Sequence, residues 1–285
     1  MRSILFVPGD SLKKFSKAIG GEADALVLDL EDSVALSAKP GARDTVREML
    51  GSDRQGKILI VRVNAFDTGM TLADLTAVMP VRPDMIMLPK CRGAKDVALL
   101  GNYLSAFEAA FGTEVGTTRI LAIATETAES VMGLASYTPA HPRLAGMLWG
   151  AEDLIASLGA TGNRDGADFS GPFLMARNEC LMAAASAGVL AIDTVCTVIH
   201  DLSVVSAEAR AARRDGFGAK AVIHPSHVAP VNDAFTPSED EVAWARRVIA
   251  YFEENPESGV VTMDGAMIDK PHERAARKIL AAAGL

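Results

Sequence analysis

The chain has 285 residues, is 49% hydrophobic and carries a formal net charge of −8 at pH 7. That length fits one large α/β barrel or two smaller domains, and an acidic balance with no long basic run argues against nucleic acid as a partner. No apolar stretch is long enough to span a membrane. The opening MRSILFVPGDS has too short an apolar run for a signal peptide. Cys91, Cys180 and Cys196 are isolated, with no CxxC pair, so reduced thiols and a cytoplasmic location are expected.

In chain order, residues 4–7 read as a first strand stopped by Pro8-Gly9. A helix follows in which Leu12, Phe15 and Ile19 share a face, while Lys13, Lys14 and Lys17 point elsewhere. A second strand, 25–28, ends in the acidic cluster Asp29, Glu31 and Asp32. A polar helix over 37–50 leads to a third strand, 58–63, with Arg62 and Asn64 at its end. A helix near 72–78 precedes a fourth strand, 84–88, which ends at Pro89-Lys90. The helix 94–111 leads to a fifth strand, 119–124, and to Glu126. The sixth, 144–149, is followed by Gly150 and Asp153. A long segment with a helix at 173–187 leads to the seventh strand, 190–192, ending at Asp193-Thr194. A helix over 206–215 precedes the eighth, 221–223, which ends at His224-Pro225.

Eight short apolar runs separated by helical patterns predict an α/β fold, a (β/α)8 TIM barrel, over residues 1–234. In such barrels the C-terminal edge of the strands carries the chemistry. The edge predicted here gathers Asp29, Glu31, Asp32, Arg62, Lys90, Glu126, Asp153, Asp193 and His224, of which Asp193 reads as a supporting acid and His224 as structural rather than catalytic. Residues 235–285 form a C-terminal helical and hairpin lid extension. It has an apolar stripe at Val242, Ala245, Val248, Ile249 and Phe252, a hairpin turning at Asp264-Gly265, and a last helix starting near Pro271. An extension of this kind covers a site or makes a subunit contact.

Glu126 and Asp153 each follow an apolar run, so the barrel brings both carboxylates to one edge. Two such groups together are costly unless a proton or a cation lies between them. A hard cation such as Mg²⁺, shared with a substrate, answers that cost. The competing reading is that each acid caps the helix after it. Lys90 is the one candidate for a Schiff-base lysine, the alternative to a metal.

The segments RSILFVPGD, ADALVLDLEDSV, IVRVN, MIMLPKC, ATETAESV, WGAEDLIASLGA, AIDTV, GFGAKAVIHPSHV and MDGAMIDKP occur in this order. Together they resemble the CitE-like branch of the HpcH/HpaI aldolase family, which includes the citrate lyase β subunit and the malyl-CoA and citramalyl-CoA lyases. The resemblance covers about residues 2 to 282. It implies a TIM barrel with a C-terminal lid, and Mg²⁺ held by Glu126 and Asp153. Arg62 would contact the substrate near the thioester carbonyl. Asp29, Glu31 and Asp32 would hold metal-bound water and orient that arginine. Asp269, in the MID motif, would be the lid acid, which in the family reaches a neighbouring subunit. A homo-oligomer, trimeric or hexameric, is therefore expected. Two departures stand out: Glu129 where relatives carry Arg after the ETA motif, and CTVIHDL where many carry an aromatic-rich loop.

The implied reaction is reversible cleavage of a 3-hydroxyacyl-CoA thioester to acetyl-CoA and a 2-oxo acid. Gly150, Ala151 and Glu152, with Glu126, would cradle the substrate carboxylate, because a helix predicted to begin at Ala151 offers free N–H groups. Asp269 would move the proton; its competing role is N-cap of the final helix. Lys14, Lys39 and Arg43 are candidates for the CoA phosphates, although the lysines near residue 14 also read as a solvated face. Two other readings are an aldolase of free 2-oxo acids and a citrate lyase β subunit that acts only on an acyl-carrier-protein partner.

Overall fold

The computed structural model describes residues 1–285. The chain divides into two compact units, Met1–Asn232 and Asp233–Leu285. In the first, eight strands close into a parallel barrel. They are β1 (Ser3–Pro8), β2 (Ala25–Asp29), β3 (Ile58–Arg62), β4 (Met85–Leu88), β5 (Arg119–Ile123), β6 (Leu144–Leu148), β9 (Leu190–Asp193) and β10 (Ala219–Val222). Their order round the barrel follows the chain, and β10 closes on β1. Helices alternate with them: α1 (Leu12–Ile19), α2 (Lys39–Gly51), α3 (Thr71–Val78), α4 (Ala94–Ala110), α5 (Ala128–Met132), α6 (Glu152–Leu158), α7 (Gly171–Ala187), α8 (Leu202–Asp215) and α9 (Val228–Phe235). No helix is long and apolar enough to cross a membrane.

Side chains alternate across a strand, so each strand offers one parity to the barrel interior. Ile4, Val27, Ile60, Met87, Leu121 and Ile192 fill that interior, all essentially without exposure. The other parity, including Leu26, Leu28 and Leu59, is equally buried. Both faces of a parallel barrel are covered, which is why these strands read as unbroken apolar runs rather than alternating ones.

The sequence-derived bounds shift by one or two residues at most strands. The helix expected at 206 starts at Leu202, because the Asp201 side chain accepts from the Ser203 N–H and caps it. Two elements have no counterpart in the sequence reading. One is a hairpin of two-residue strands, β7 (Arg164–Asp165) and β8 (Asp168–Phe169). The other is α9, whose start carries Pro230, which is compatible with a first helical turn.

The second unit holds α10 (Glu239–Glu254), the hairpin β11 (Val260–Met263) and β12 (Ala266–Asp269), and α11 (Lys270–Ala282). Ser238 and Glu241 form a reciprocal cap at the start of α10. Asp264 and Gly265 both have positive φ, at 51° and 80°, as a two-residue type I′ turn requires. Val248, Phe252, Ile268 and Ala276 form this unit's own small core.

Candidate active site

Strand parity sets the first charged layer. Val27 points inward, so Asp29, two residues on, does too; Ile60 places Arg62 likewise. The register pairs Asp29 with Arg62 directly. The guanidinium meets the carboxylate in a fork, Nε to Oδ1 and Nη2 to Oδ2, both at 2.7 Å. Its third nitrogen, Nη1, lies 2.9 Å from Glu31 Oε2. The Arg62 guanidinium also stacks on the Phe6 ring at 5.0 Å. Burial alone would raise the Asp29 carboxyl; the hydrogen bonds and charge of Arg62 outweigh it and hold the group below its ordinary value. Arg62 is correspondingly locked in its charged form.

Asp29 also accepts from the N–H groups of Glu31 (2.9 Å) and Ser33 (3.2 Å), which folds the acidic loop back over the strand end. Lys39 completes that loop. Its Nζ donates to the carbonyls of Leu30 and Glu31, each at 2.8 Å, and the side chain is buried. Lys39, expected at a CoA phosphate, instead gives two of its three donors to main-chain carbonyls in this structure. Arg43, the other candidate for that role, pairs through its Nε with fully buried Asp74 at 2.7 Å. Lys14 lies exposed on α1.

Glu126 and Asp153 come together on this edge, where both line one cavity of about 270 Å³. Neither caps a helix. Thr127 caps α5, accepting from the Ser130 N–H. Thr125 accepts from the Gly150 N–H at 2.9 Å and ties the β5 end to the β6 end. Glu126, between the two threonines, is left for the cavity. Gly150 permits this: a Cβ there would stand 2.8 Å from Glu126 Cγ. Asp153 sits in the first turn of α6, whose N-cap, Ala151, offers no side-chain bond. That helix begins one residue later than expected and has only seven residues. Ala151 and Glu152 line the cavity too, and Glu152 is tied to Asn163 Nδ2 at 2.9 Å.

Lys90 links these acids. It adopts a left-handed backbone conformation, φ 49°, and its N–H donates to Glu126 Oε2. Its Nζ lies 2.6 Å from Glu31 Oε1 and 3.5 Å from both Asp32 Oδ2 and Asp153 Oδ1. Burial works against the charged ammonium, but Glu31, Glu126 and Asp153 more than offset it and raise the group above its ordinary value. A Schiff-base lysine needs the opposite shift, so Lys90 is a counter-ion here.

Five acids, Asp29, Glu31, Asp32, Glu126 and Asp153, thus share two cations, Arg62 and Lys90. The consequence falls on Glu126. Burial first, then the charges of Glu31 and Asp153, push its carboxyl up to about 8. Burial raises the Glu31 carboxyl as well. The edge lacks positive charge, and a hard divalent cation between Glu126 and Asp153 would supply it. The residues fit such an ion: Glu126 Oε1 has no protein partner, and Asp153 has only the distant Lys90.

Two edge candidates leave the bowl. Ile192 points inward, so Asp193 points outward, to Lys220 Nζ at 2.6 Å and Trp149 Nε1 at 2.7 Å. His224 caps the turn at Pro225, with Nδ1 accepting from the Ser226 N–H. The residues actually at these places are Thr194, Val195 and Ile223. Neither they nor Phe6, Ile123 and Leu148 stand out in the sequence; counting inward parity to each strand end finds all but Val195, which lies two residues past the end of its strand with the opposite parity. Asp269 lies in the second unit. It precedes α11, with Oδ1 2.6 Å from His272 Nδ1.

A barrel whose strand ends carry acids, an arginine and a lysine around one cavity defines a TIM-barrel enzyme. Residues 2–225 match the HpcH/HpaI aldolase/citrate lyase family, and the chain belongs to it. Among its relatives, a citrate lyase subunit beta-like protein of Mycobacterium tuberculosis is 36% identical, over 98% of this chain and 94% of that one. A (3S)-malyl-CoA thioesterase of Cereibacter sphaeroides is 34% identical, over 99% and 94%. The crystal structure of Mycobacterium tuberculosis CitE with magnesium, acetoacetate and coenzyme A superposes with a TM-score of 0.80 at 34% identity, covering 100% of this chain and 98% of that one.

Proposed function

We propose that the chain is a Mg²⁺-dependent carbon–carbon lyase that cleaves, or forms by Claisen condensation, a 3-hydroxyacyl-CoA thioester. The products of cleavage are acetyl-CoA and a 2-oxo acid. The observation that carries this reading is the meeting of Glu126 and Asp153 beside a forked Arg62–Asp29 pair. Glu126 and Asp153 would hold the ion, which when bound would supply Lewis-acid polarisation of the 2-oxo acid carbonyl and a counter-charge for its carboxylate. The solved CitE complex with magnesium, acetoacetate and coenzyme A supports this choice of ligands.

Arg62 faces the same cavity with its charge fixed by Asp29 and Glu31. Such a preorganised cation stabilises a developing enolate oxygen without reorganising. The N–H groups of Ala151 and Glu152 suit the substrate carboxylate, and Asp32 and Glu31 keep the counter-ion Lys90 in place. In cleavage the substrate hydroxyl gives up its proton, and the C2–C3 bond breaks. Its electron pair passes to C2 as the thioester enolate, which is then protonated at C2. We assign the proton transfers to Asp269, brought by the second unit of a neighbouring subunit in a homotrimer or hexamer. Exposed Met132, Leu174, Met175 and Met182 support a subunit contact. The three buried free thiols suit the cytoplasm.

The test is incubation of the purified chain with malyl-, citramalyl- and citryl-CoA and Mg²⁺. Appearance of acetyl-CoA with a 2-oxo acid supports the lyase. Free CoA with an intact hydroxy acid would instead make it a thioesterase. Turnover without any other protein removes the carrier-dependent reading. Activity on free hydroxy-oxo acids alone would make it an aldolase.

A further inference from the structure

The mouth of the barrel is divided. Charged groups occupy the ends of β2, β3, β4 and β5 and the start of α6. The remaining arc, from β1, β5, β6 and the residues after β9 and β10, is apolar at Phe6, Ile123, Leu148, Val195 and Ile223, with Thr194 its one polar, uncharged member. The same cavity is lined by Asp29, Asp32, Glu126, Glu152 and Asp153, and Arg62 is its one cationic side chain. That arginine is forked onto Asp29, has Glu31 Oε2 2.9 Å from its Nη1, and in the lyase reading gives its remaining charge to the thioester oxygen. Lys90 is committed to Glu31, with Asp32 and Asp153 close by. No histidine lines the cavity.

We infer that the site selects a thioester whose 3-carbon bears one free carboxylate and a hydrogen or small alkyl group, and rejects a carboxymethyl group there. This deepens the lyase reading and rests on it. One substrate carboxylate is matched by the bound ion. A second would be stripped of water against the apolar arc, with no free cation to receive it and five acids in view. A methyl group gains from the same arc by leaving water. The 2-oxo acids that fit are those with hydrogen, methyl or ethyl beside the carbonyl; those with a second carboxylate do not fit.

The condensation direction reads this directly. The Mg²⁺-loaded protein is given acetyl-CoA with glyoxylate, pyruvate, 2-oxobutyrate, oxaloacetate or 2-oxoglutarate, and each adduct is identified by mass, since oxaloacetate decays to pyruvate. In parallel, binding of each acid to the loaded protein is measured by calorimetry. Pyruvate or 2-oxobutyrate should exceed both dicarboxylates at least about 100-fold in kcat/KM, with binding ranked the same way. Oxaloacetate within about tenfold of pyruvate overturns the inference. Val195→Arg places a cation on the apolar arc and should narrow that ratio; an unchanged ratio in a folded variant also counts against it. If no acid condenses but binding keeps the ranking, the lyase reading fails and the selectivity stands. If none binds, both fail.

Discussion

Replacing Glu126 with Gln separates the electrostatic strain of the acid cluster from its packing. The Glu126 carboxyl is pushed from 4.5 to about 8, by burial first and by neighbouring charge second. A group whose folded value is raised adds stability in full below its unfolded value, and loses it as pH rises through the folded one. The metal-free protein should therefore weaken between about pH 5 and pH 9. At about 1.4 kcal/mol per pH unit, the interval from 4.5 to 8 amounts to about 5 kcal/mol. For a unit of this size that is a fall in Tm of roughly 10 to 20 °C. Glu126→Gln has no proton to lose and should flatten that part of the fall. Mg²⁺ requires the ionised acid, so at pH 9 it should restore the unsubstituted protein and do little for the variant. Thermal unfolding by circular dichroism at pH 5, 7 and 9, in EDTA and in Mg²⁺, measures all of this. Parallel losses in both proteins from pH 5 to pH 9 would refute the claim that the buried carboxylate is the source.

Three further outcomes can be checked. In Gly150→Ala the new Cβ stands 2.8 Å from Glu126 Cγ, so that buried side chain must shift by several tenths of an ångström; Mg²⁺ affinity by calorimetry, and turnover with it, should fall about 10- to 100-fold, and wild-type affinity would contradict the close approach. Lys39→Met strands two carbonyls and should cost about 2 kcal/mol in urea unfolding, lowering kcat through the acidic loop with KM for CoA thioesters unchanged; a rise in KM alone would return Lys39 to the phosphate-binding role. Mixing inactive Asp269→Asn with inactive Glu126→Ala subunits should recover part of the activity, and no recovery in mixed oligomers would count against an acid donated between subunits.

Much of this architecture is written in the periodicity. Eight apolar runs with helices between them are visible because a parallel barrel buries both faces of every strand. The hairpin Arg164–Phe169 is not, since two-residue strands leave no alternation to count. The acids Glu126 and Asp153 are legible as a pair from their places after β5 and β6. Their roles as anything but caps depend on Thr127 capping α5 and on Ala151 standing before α6. Asp193 and His224 show that a place at or after a strand end is not by itself a place in the cavity: Asp193 has the outward parity, and His224, two residues past β10, caps the turn at Pro225. Lys39 shows the same for charge. A lysine near a presumed anion site reads as a ligand, yet a long side chain is equally able to hold two carbonyls of a loop.

The divided mouth separates what selection holds fixed from what it leaves open. On the charged arc each side chain is a partner of the next, from Arg62 through Glu31 to Lys90 and Asp153, so a change at one disturbs several. Val195 and Ile223 make no side-chain hydrogen bond and sit at the rim, where a new residue alters only what the cavity will accept. Drift on that arc can present the same reaction with new substrates one substitution at a time, so relatives should diverge there first, while the charged arc stays recognisable across the lineage.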